Sequence, residues 1–157
     1  MDGLSKRAGL PQLKVAWTCV HGDAMAMNAL AWTNDAYLSC GLAQHELPEL
    51  FACGQSVAAQ IRRRIITNMA TLRCAFADIP AVSIPAVVAG WTAVVRVPRV
   101  MEEDAWVIAC AHEGARVQPG YFYDFEVGAH LVVSLIGPAE DFEQGIGRVA
   151  RVVRANV

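Results

Sequence analysis
Apolar residues return along this chain at intervals that separate helix from strand. From Leu50, the positions Val57, Ile61, Ile65, Met69, Leu72 and Phe76 recur every three or four residues with Arg62, Arg63 and Arg64 among them. That period predicts one long amphipathic helix, ended by Pro80 and Pro85. In "GWTAVVRVP" the period drops to two, Trp91, Ala93, Val95 and Val97 alternating with Thr92, Val94 and Arg96, as in a strand with one buried face closed by Pro98. A second helix is predicted from Glu102, Glu103 and Asp104, acids suited to the positive end of its dipole, through Trp106, Val107 and Cys110 to a cap at Gly114. "QPG" at 118–120 reads as a turn following a short strand, and "HLVVSLI" at 130–136 as another strand. The last helix, "PAEDFEQGIGRVARVVRAN", places Phe142, Ile146, Val149 and Val153 inward, with its acids first and Arg148, Arg151 and Arg154 last.

Residues 50 onward therefore run helix, strand, helix, short strand, strand, helix, which predicts an α/β (α+β) sandwich with helices packed on a small sheet. The first 45 or so residues do not join that layer. "LKVAWTCVH" at 13–21 has strand character, and "GDAMAMNALAWTNDAYLS" is helical. One strand cannot make a sheet alone, so this part reads as the edge of something larger.

At 157 residues the chain holds one filled core, or one domain and a piece of another. With 55% hydrophobic residues it buries enough apolar surface to fold, and a net charge of −2 supplies no broad positive field for nucleic acid. The longest apolar run, "VSIPAVVAGW", is broken by prolines and too short for a membrane helix, and no secretion signal opens the sequence, so a cytoplasmic protein is expected. Cys19, Cys40, Cys53, Cys74 and Cys110 are odd in number and form no CxxC pair, which predicts buried thiols rather than disulfides or a zinc site. His21, His45, His112 and His130 lack metal-ligand spacing, and the three successive arginines read as a solvated face. Tyr121, Phe122, Tyr123 and Phe125 form a dense aromatic group expected in the core.

Candidate chemistry lies at the start. In "GLSKRAGLPQLKVAW", Lys6 sits in a loop among Gly3, Ser5 and Gly9 ahead of an apolar run. An amine so placed serves as a carbonyl nucleophile when its surroundings lower its pKa, and as solvated surface otherwise. The stretch resembles the pyridoxal-phosphate attachment signature of class I/II (fold-type I) aminotransferases. There a Ser-Lys pair is followed, eight residues after the lysine, by a phosphate-binding arginine. Lys6 falls on the Schiff-base lysine, Ser5 on the hydroxyl residue before it, Gly9 and Leu10 on the small and apolar positions, and Lys14 on the arginine. Gln12 departs from the usual small residue, and Lys14 offers a point charge where a planar fork grips phosphate better.

The likeness continues through "DAYLSCGLAQHELPELFACGQSVAAQIRRRI", similar to the inter-domain stretch and connecting helix, and "VQPGYFYDFEVGAHLVVSLIGPAEDFEQGIGRVARVV", similar to the closing segment. In many members the strand of that segment carries a carboxylate-clamping arginine; the matching position is Val132. The resemblance implies that residues 1–46 are a remnant of the large cofactor domain and 47–157 the complete C-terminal small domain. The ring-nitrogen aspartate, the ring-stacking residue and the phosphate loop precede the lysine in that family, and the expectation is a chain lacking them. The implied function is amino-group transfer between an amino acid or amine and a 2-oxo acid, through pyridoxal 5'-phosphate held by Ser5, Lys6 and Lys14, with Lys6 catalytic. The chain alone is expected to bind no cofactor and to be inactive. Its expected partners are a complementary large-domain chain or further copies of itself, such as a dimer. The alternative is a non-catalytic oligomerising or regulatory binding module of the same ancestry.

Overall fold
A computed structural model describes residues 2–37 and 41–157, in two units, one extending to Gln60 and the other Ile61–Val157. In the first unit, β1 (Asp2–Gly3) leads directly into the one-turn helix α1 (Leu4–Arg7). A tight helical turn at Pro11–Leu13 precedes β2 (Ala16–Trp17), so only two residues of the strand expected over 13–21 are extended. Pro11 explains the shortening, because its fixed φ favours the first position of a helical turn. β1 and β2 pair antiparallel, Asp2 opposite Trp17 and Gly3 opposite Ala16. Leu4, Ala8 and Val15 are buried beneath them, packed with Leu10, Leu13 and Trp17 and with Leu47, Leu50 and Phe51.

The alanine- and methionine-rich stretch forms α2 (Ala24–Tyr37), as its composition predicts. Its side chains through Ala36 are all exposed, Trp32 and Met25 to 77% and 76%. Leu38, Ser39 and Cys40, which complete that stretch, lie outside the described residues. After the short α3 (Gly41–His45) comes α4 (Leu47–Ala75), the long helix, starting three residues earlier than its apolar period. Within the first unit a Cβ on Gly54 would stand 2.7 Å from that of Ala8, so glycine here lets the helix approach the turn closely. Val57, expected inward, is exposed, whereas Leu72 and Phe76 are buried and Ile65 and Met69 partly so. The apolar period marked the helix correctly, but Leu47, Leu50 and Phe51 pack on the first unit's cluster and Ile65, Met69, Leu72 and Phe76 on the second's, and Val57 belongs to neither.

In the second unit, β3 (Thr92–Val97) alternates as its sequence does, with Ala93, Val95 and Val97 buried. α5 (Glu103–His112) follows and ends before Gly114, whose φ of 76° is the left-handed cap conformation. β4 (Gln118–Pro119) is followed by a helical turn at Gly120–Tyr123, and β5 (Ala129–Ser134) by α6 (Ala139–Ala155). The sheet order is β3-β5-β4, all antiparallel, and β5, at the centre, is buried from Ala129 to Val133. α6 buries Phe142, Ile146, Val149 and Val153, the four positions its period indicated. Each such side chain removed from water stabilises the fold by about 1.5–3 kcal/mol.

Polar contacts tie α4 to this layer. Asn68 is fully buried, and its Nδ2 donates to the carbonyls of Leu135 and Gly137, both at 2.9 Å. Arg154 grips Asp78 through two nitrogens at 2.7 and 3.1 Å and donates to the Ala75 carbonyl at the end of α4. The Arg154 hydrogen bond holds the Asp78 carboxyl below its ordinary range.

Two expectations fail. Tyr121, Phe122, Tyr123 and Phe125 are exposed rather than core, because they follow Gly120 in a surface turn instead of a strand facing the helices. Of the four described cysteines, Cys19, Cys53 and Cys74 are exposed and Cys110 is buried, and Cys40 lies outside the described residues. Burial pushes the Cys110 thiol up to about 11, disfavouring its thiolate. At pH 8, iodoacetamide mapped by mass spectrometry should label Cys19, Cys53 and Cys74 and spare Cys110 until denaturant is added. Labelling of Cys110 at the rate of the others in the folded chain contradicts its placement.

Candidate functional site
The amine-bearing turn is shaped by its backbone. Leu4 N–H donates to the Val15 carbonyl at 3.0 Å, extending the β1–β2 pairing, and Ala8 N–H donates back to the Leu4 carbonyl at 3.0 Å. A Cβ on Gly3 would lie 3.0 Å from the Val15 oxygen, so this position leaves little room for a side chain. Leu4 and Ala8, four residues apart, point into the small apolar cluster. Lys6, between them, is therefore exposed, and Ser5 is half-buried. Arg7 pairs with Asp2 at 2.9 Å. The Asp2 carboxyl is held below its ordinary range, first by the Gly3 N–H and then by Arg7.

Lys14 is also exposed, and its φ of 54° makes it, with Asp124, one of two non-glycine residues with positive φ among the described residues. That conformation costs a non-glycine residue about 1–2 kcal/mol. Gly9, at φ 66°, adopts the same region without that cost. The turn thus presents two exposed cations, Lys6 and Lys14, beside a half-buried hydroxyl, Ser5. A primary amine, a second positive charge and a hydroxyl suit the carbonyl and phosphate of an aldehyde phosphate. Near the turn, a cleft of about 460 Å³ lies between β2 and α2, lined by Trp17, Val20, Met27, Leu30 and Asn34 among others.

The second unit carries Val132, which the sequence resemblance matches to the carboxylate clamp. Val132 is buried on β5, opposite Val94 on one side and Gln118 on the other. Beside it, His130 and Glu103 form an arrangement that the sequence reading assigned no role. Glu103 was read there only as a first-turn acid, and His130 as a histidine without ligand spacing. In the structure the Glu103 Oε1 accepts the His130 N–H at 2.7 Å, and Oε2 accepts the Tyr121 N–H at 3.1 Å. The His130 Nδ1 stands 3.4 Å from Oε1, and the Phe125 ring stacks on the imidazole at 4.6 Å between centroids. The Tyr121 hydroxyl donates to Asp104 at 2.8 Å, which raises the Tyr121 pKa. Tyr123 also donates to the Gln118 side chain. The only sequence clue was a histidine inside an apolar strand. Among the described residues no group of His, Cys, Asp and Glu is placed to hold a metal ion, and no helix is long and apolar enough to cross a membrane.

No protein-family model and no curated sequence matches this chain. Solved structures do match. An archaeal alanine:glyoxylate aminotransferase superposes with a TM-score of 0.76 at 17% identity, over 99% of this chain and 40% of that one. A PLP-dependent aminotransferase from Streptococcus suis gives 0.73 at 22% identity, over 99% of this chain and 41% of that one. An alpha-aminoadipate aminotransferase from Thermus thermophilus gives 0.67 at 18% identity, over 92% and 39%. The fold is that of the C-terminal portion of a PLP-dependent aminotransferase. The helices on the three-stranded antiparallel sheet correspond to the aminotransferase small domain, as the sequence resemblance led us to expect. The chain spans about two fifths of the length of those three relatives.

The closeness of packing around His130 is directly testable within this aminotransferase-like unit. A Cβ on Gly120 would lie 2.6 Å from the His130 Cβ and 2.9 Å from the Glu103 Oε1. Gly120→Ala should destabilise the fold by about 1–3 kcal/mol in urea unfolding. A change below about 0.5 kcal/mol, within the range of ordinary surface substitutions, contradicts this packing.

Proposed function
We propose that this chain is the C-terminal part of a PLP-dependent aminotransferase, acting in amino-group transfer between an amino acid or amine and a 2-oxo acid. The observation that carries this reading is the turn at residues 3–15 within a chain having that fold. Its Ser-Lys pair is presented on a glycine-flanked turn, and eight residues later a second cation occupies a strained left-handed backbone. Strain of that kind persists where the surroundings over-determine a conformation, commonly at binding sites. In this proposal Lys6 supplies the catalytic amine and moves the proton at the substrate carbon. Lys14 and Ser5 hold the phosphate end. The cofactor, when bound, supplies the electron sink that the side chains lack.

The exposed turn argues that catalysis needs further walls, supplied by the rest of an aminotransferase fold. α2 supports this requirement independently. It exposes Met25, Met27, Leu30 and Trp32 on a helix beside an open cleft, and apolar helix surface of that kind is normally covered. The same surface favours a second reading, in which the chain associates with copies of itself and has no activity.

These readings separate experimentally. The chain alone, mixed with pyridoxal 5'-phosphate and reduced with borohydride, should retain little cofactor on Lys6 by peptide mass mapping. Co-expression with a polypeptide carrying the large cofactor domain of an aminotransferase should give Lys6-linked cofactor, and Lys6→Ala should abolish it. Cofactor distributed over Arg-flanked or other surface lysines in that complex, with none enriched at Lys6, refutes the proposal. A concentration-dependent increase in mass of the isolated chain on size exclusion, with no gain of cofactor in the complex, favours self-association.

A further inference from the structure
A cavity of about 290 Å³ in the second unit has no place in the function proposed above. It opens beyond the last β4–β5 pair, Gln118 opposite Val132, between residues 114–117 and one flank of α6. We propose that it binds a free aliphatic amino acid, with the apolar side chain on the cavity floor, the carboxylate on Arg116 and the ammonium on Asp141.

The walls are held in place by bonds that need no ligand. Asp141, Gly145 and Arg148 follow one another at helical spacing along one flank of α6. Arg148 Nη1 donates to the Gly114 carbonyl at 3.0 Å and ties the facing segment to that flank. Ala115 N–H donates to the Cys110 carbonyl at 2.9 Å, which fixes the same segment to the end of α5. At the other end of the cavity, buried Asn68 holds the carbonyls of Leu135 and Gly137. Between these braces the space stays open because Gly137 and Gly145 bring no side chain to fill it. A Cβ on either would meet no group beyond its own stretch of backbone within 4 Å.

The lining sets the ligand class. Val117, Val133, Phe142 and Ile146 make the floor apolar, so it accepts a short aliphatic chain and offers a polar one no partner. Arg116 stands on the segment wall and Asp141 on the α6 wall, both exposed, and neither forms an ion pair among the described residues. A guanidinium fork grips a carboxylate, and a carboxylate accepts from an ammonium. A molecule carrying both groups therefore meets both walls at once, whereas an acid or an amine alone meets one. Each such contact is weak in solvent, and the floor between them is what turns two surface charges into a site. The volume lies at the small end of ligand pockets, about 300–1,000 Å³, which suits one amino acid rather than a peptide.

Titration of the isotope-labelled full chain with L-leucine, followed by amide resonances, tests this without any residue of the function proposed above. The amides of Val117, Val133 and Gly145 should shift and saturate below about 10 mM leucine, a Kd of millimolar order or tighter. Isocaproate and isoamylamine, the same carbon chain lacking the ammonium or the carboxylate, should each bind about tenfold more weakly, since each gives up one charge-assisted contact. Gly145→Leu, which fills the cavity with a good helix former, should abolish the shifts. The absence of saturable shifts at these amides overturns the proposal. So does equal affinity for leucine and isocaproate, which marks an anion on Arg116 alone. Both of those results come from the unsubstituted chain and hold even if Gly145→Leu does not fold. Saturable shifts that persist in folded Gly145→Leu overturn it equally.

Discussion
Everything in this molecule depends on where a strand finds its neighbours. β5 lies between β3 and β4, and α6 sets six apolar side chains into the core on which that sheet rests. That arrangement satisfies the backbone and fills a core without outside help. β1 and β2 contribute two residues each to a sheet with no third strand among the described residues. A two-stranded ribbon is marginal in water, and the small cluster under it, the Leu4–Val15 and Ala8–Leu4 backbone bonds and the Arg7–Asp2 pair hold the turn bearing Lys6.

The functional consequence follows from the same asymmetry. In the proposed function the chemistry needs a walled, water-free pocket, and the proposal assigns the missing walls to further structure. The second unit has the fold of an aminotransferase small domain, and in the proposed function Ser5, Lys6 and Lys14 of the first meet the cofactor. α2 exposes Trp32 and Met25, and in the proposed function it is the surface that further structure covers. The resemblance aligns Val132 with a substrate-clamping arginine, and here that position is buried and apolar.

Much of the second unit was legible in the sequence because its elements each face one core. The alternation in "GWTAVVRVP" reported β3 directly, and the spacing of Phe142, Ile146, Val149 and Val153 reported the buried face of α6. Periodicity was less informative where the neighbour is absent or changes along an element. Val57 carries the same period as Leu72 and is exposed, since hydrophobic spacing records a face and not what covers it. The aromatic run at 121–125 misled for a related reason: it is apolar by composition, but Gly120 and a helical turn direct it outward. The Glu103–His130 clamp joins residues 27 apart through backbone N–H groups, which no side-chain pattern encodes. Of the proposed cofactor contacts, the Ser5-Lys6 pair and Lys14 were indicated by the resemblance to the attachment signature, whereas the strained backbone of Lys14 became apparent only in three dimensions.

The claim that one unit is closed on itself while the other awaits cover is tested most directly by native-state hydrogen exchange across the isolated chain. The account predicts that amides of β5 and α6 exchange only through global unfolding, and that those of α2 exchange orders of magnitude faster. Protection in α2 equal to that in β5, measured on a monomeric sample, would contradict it.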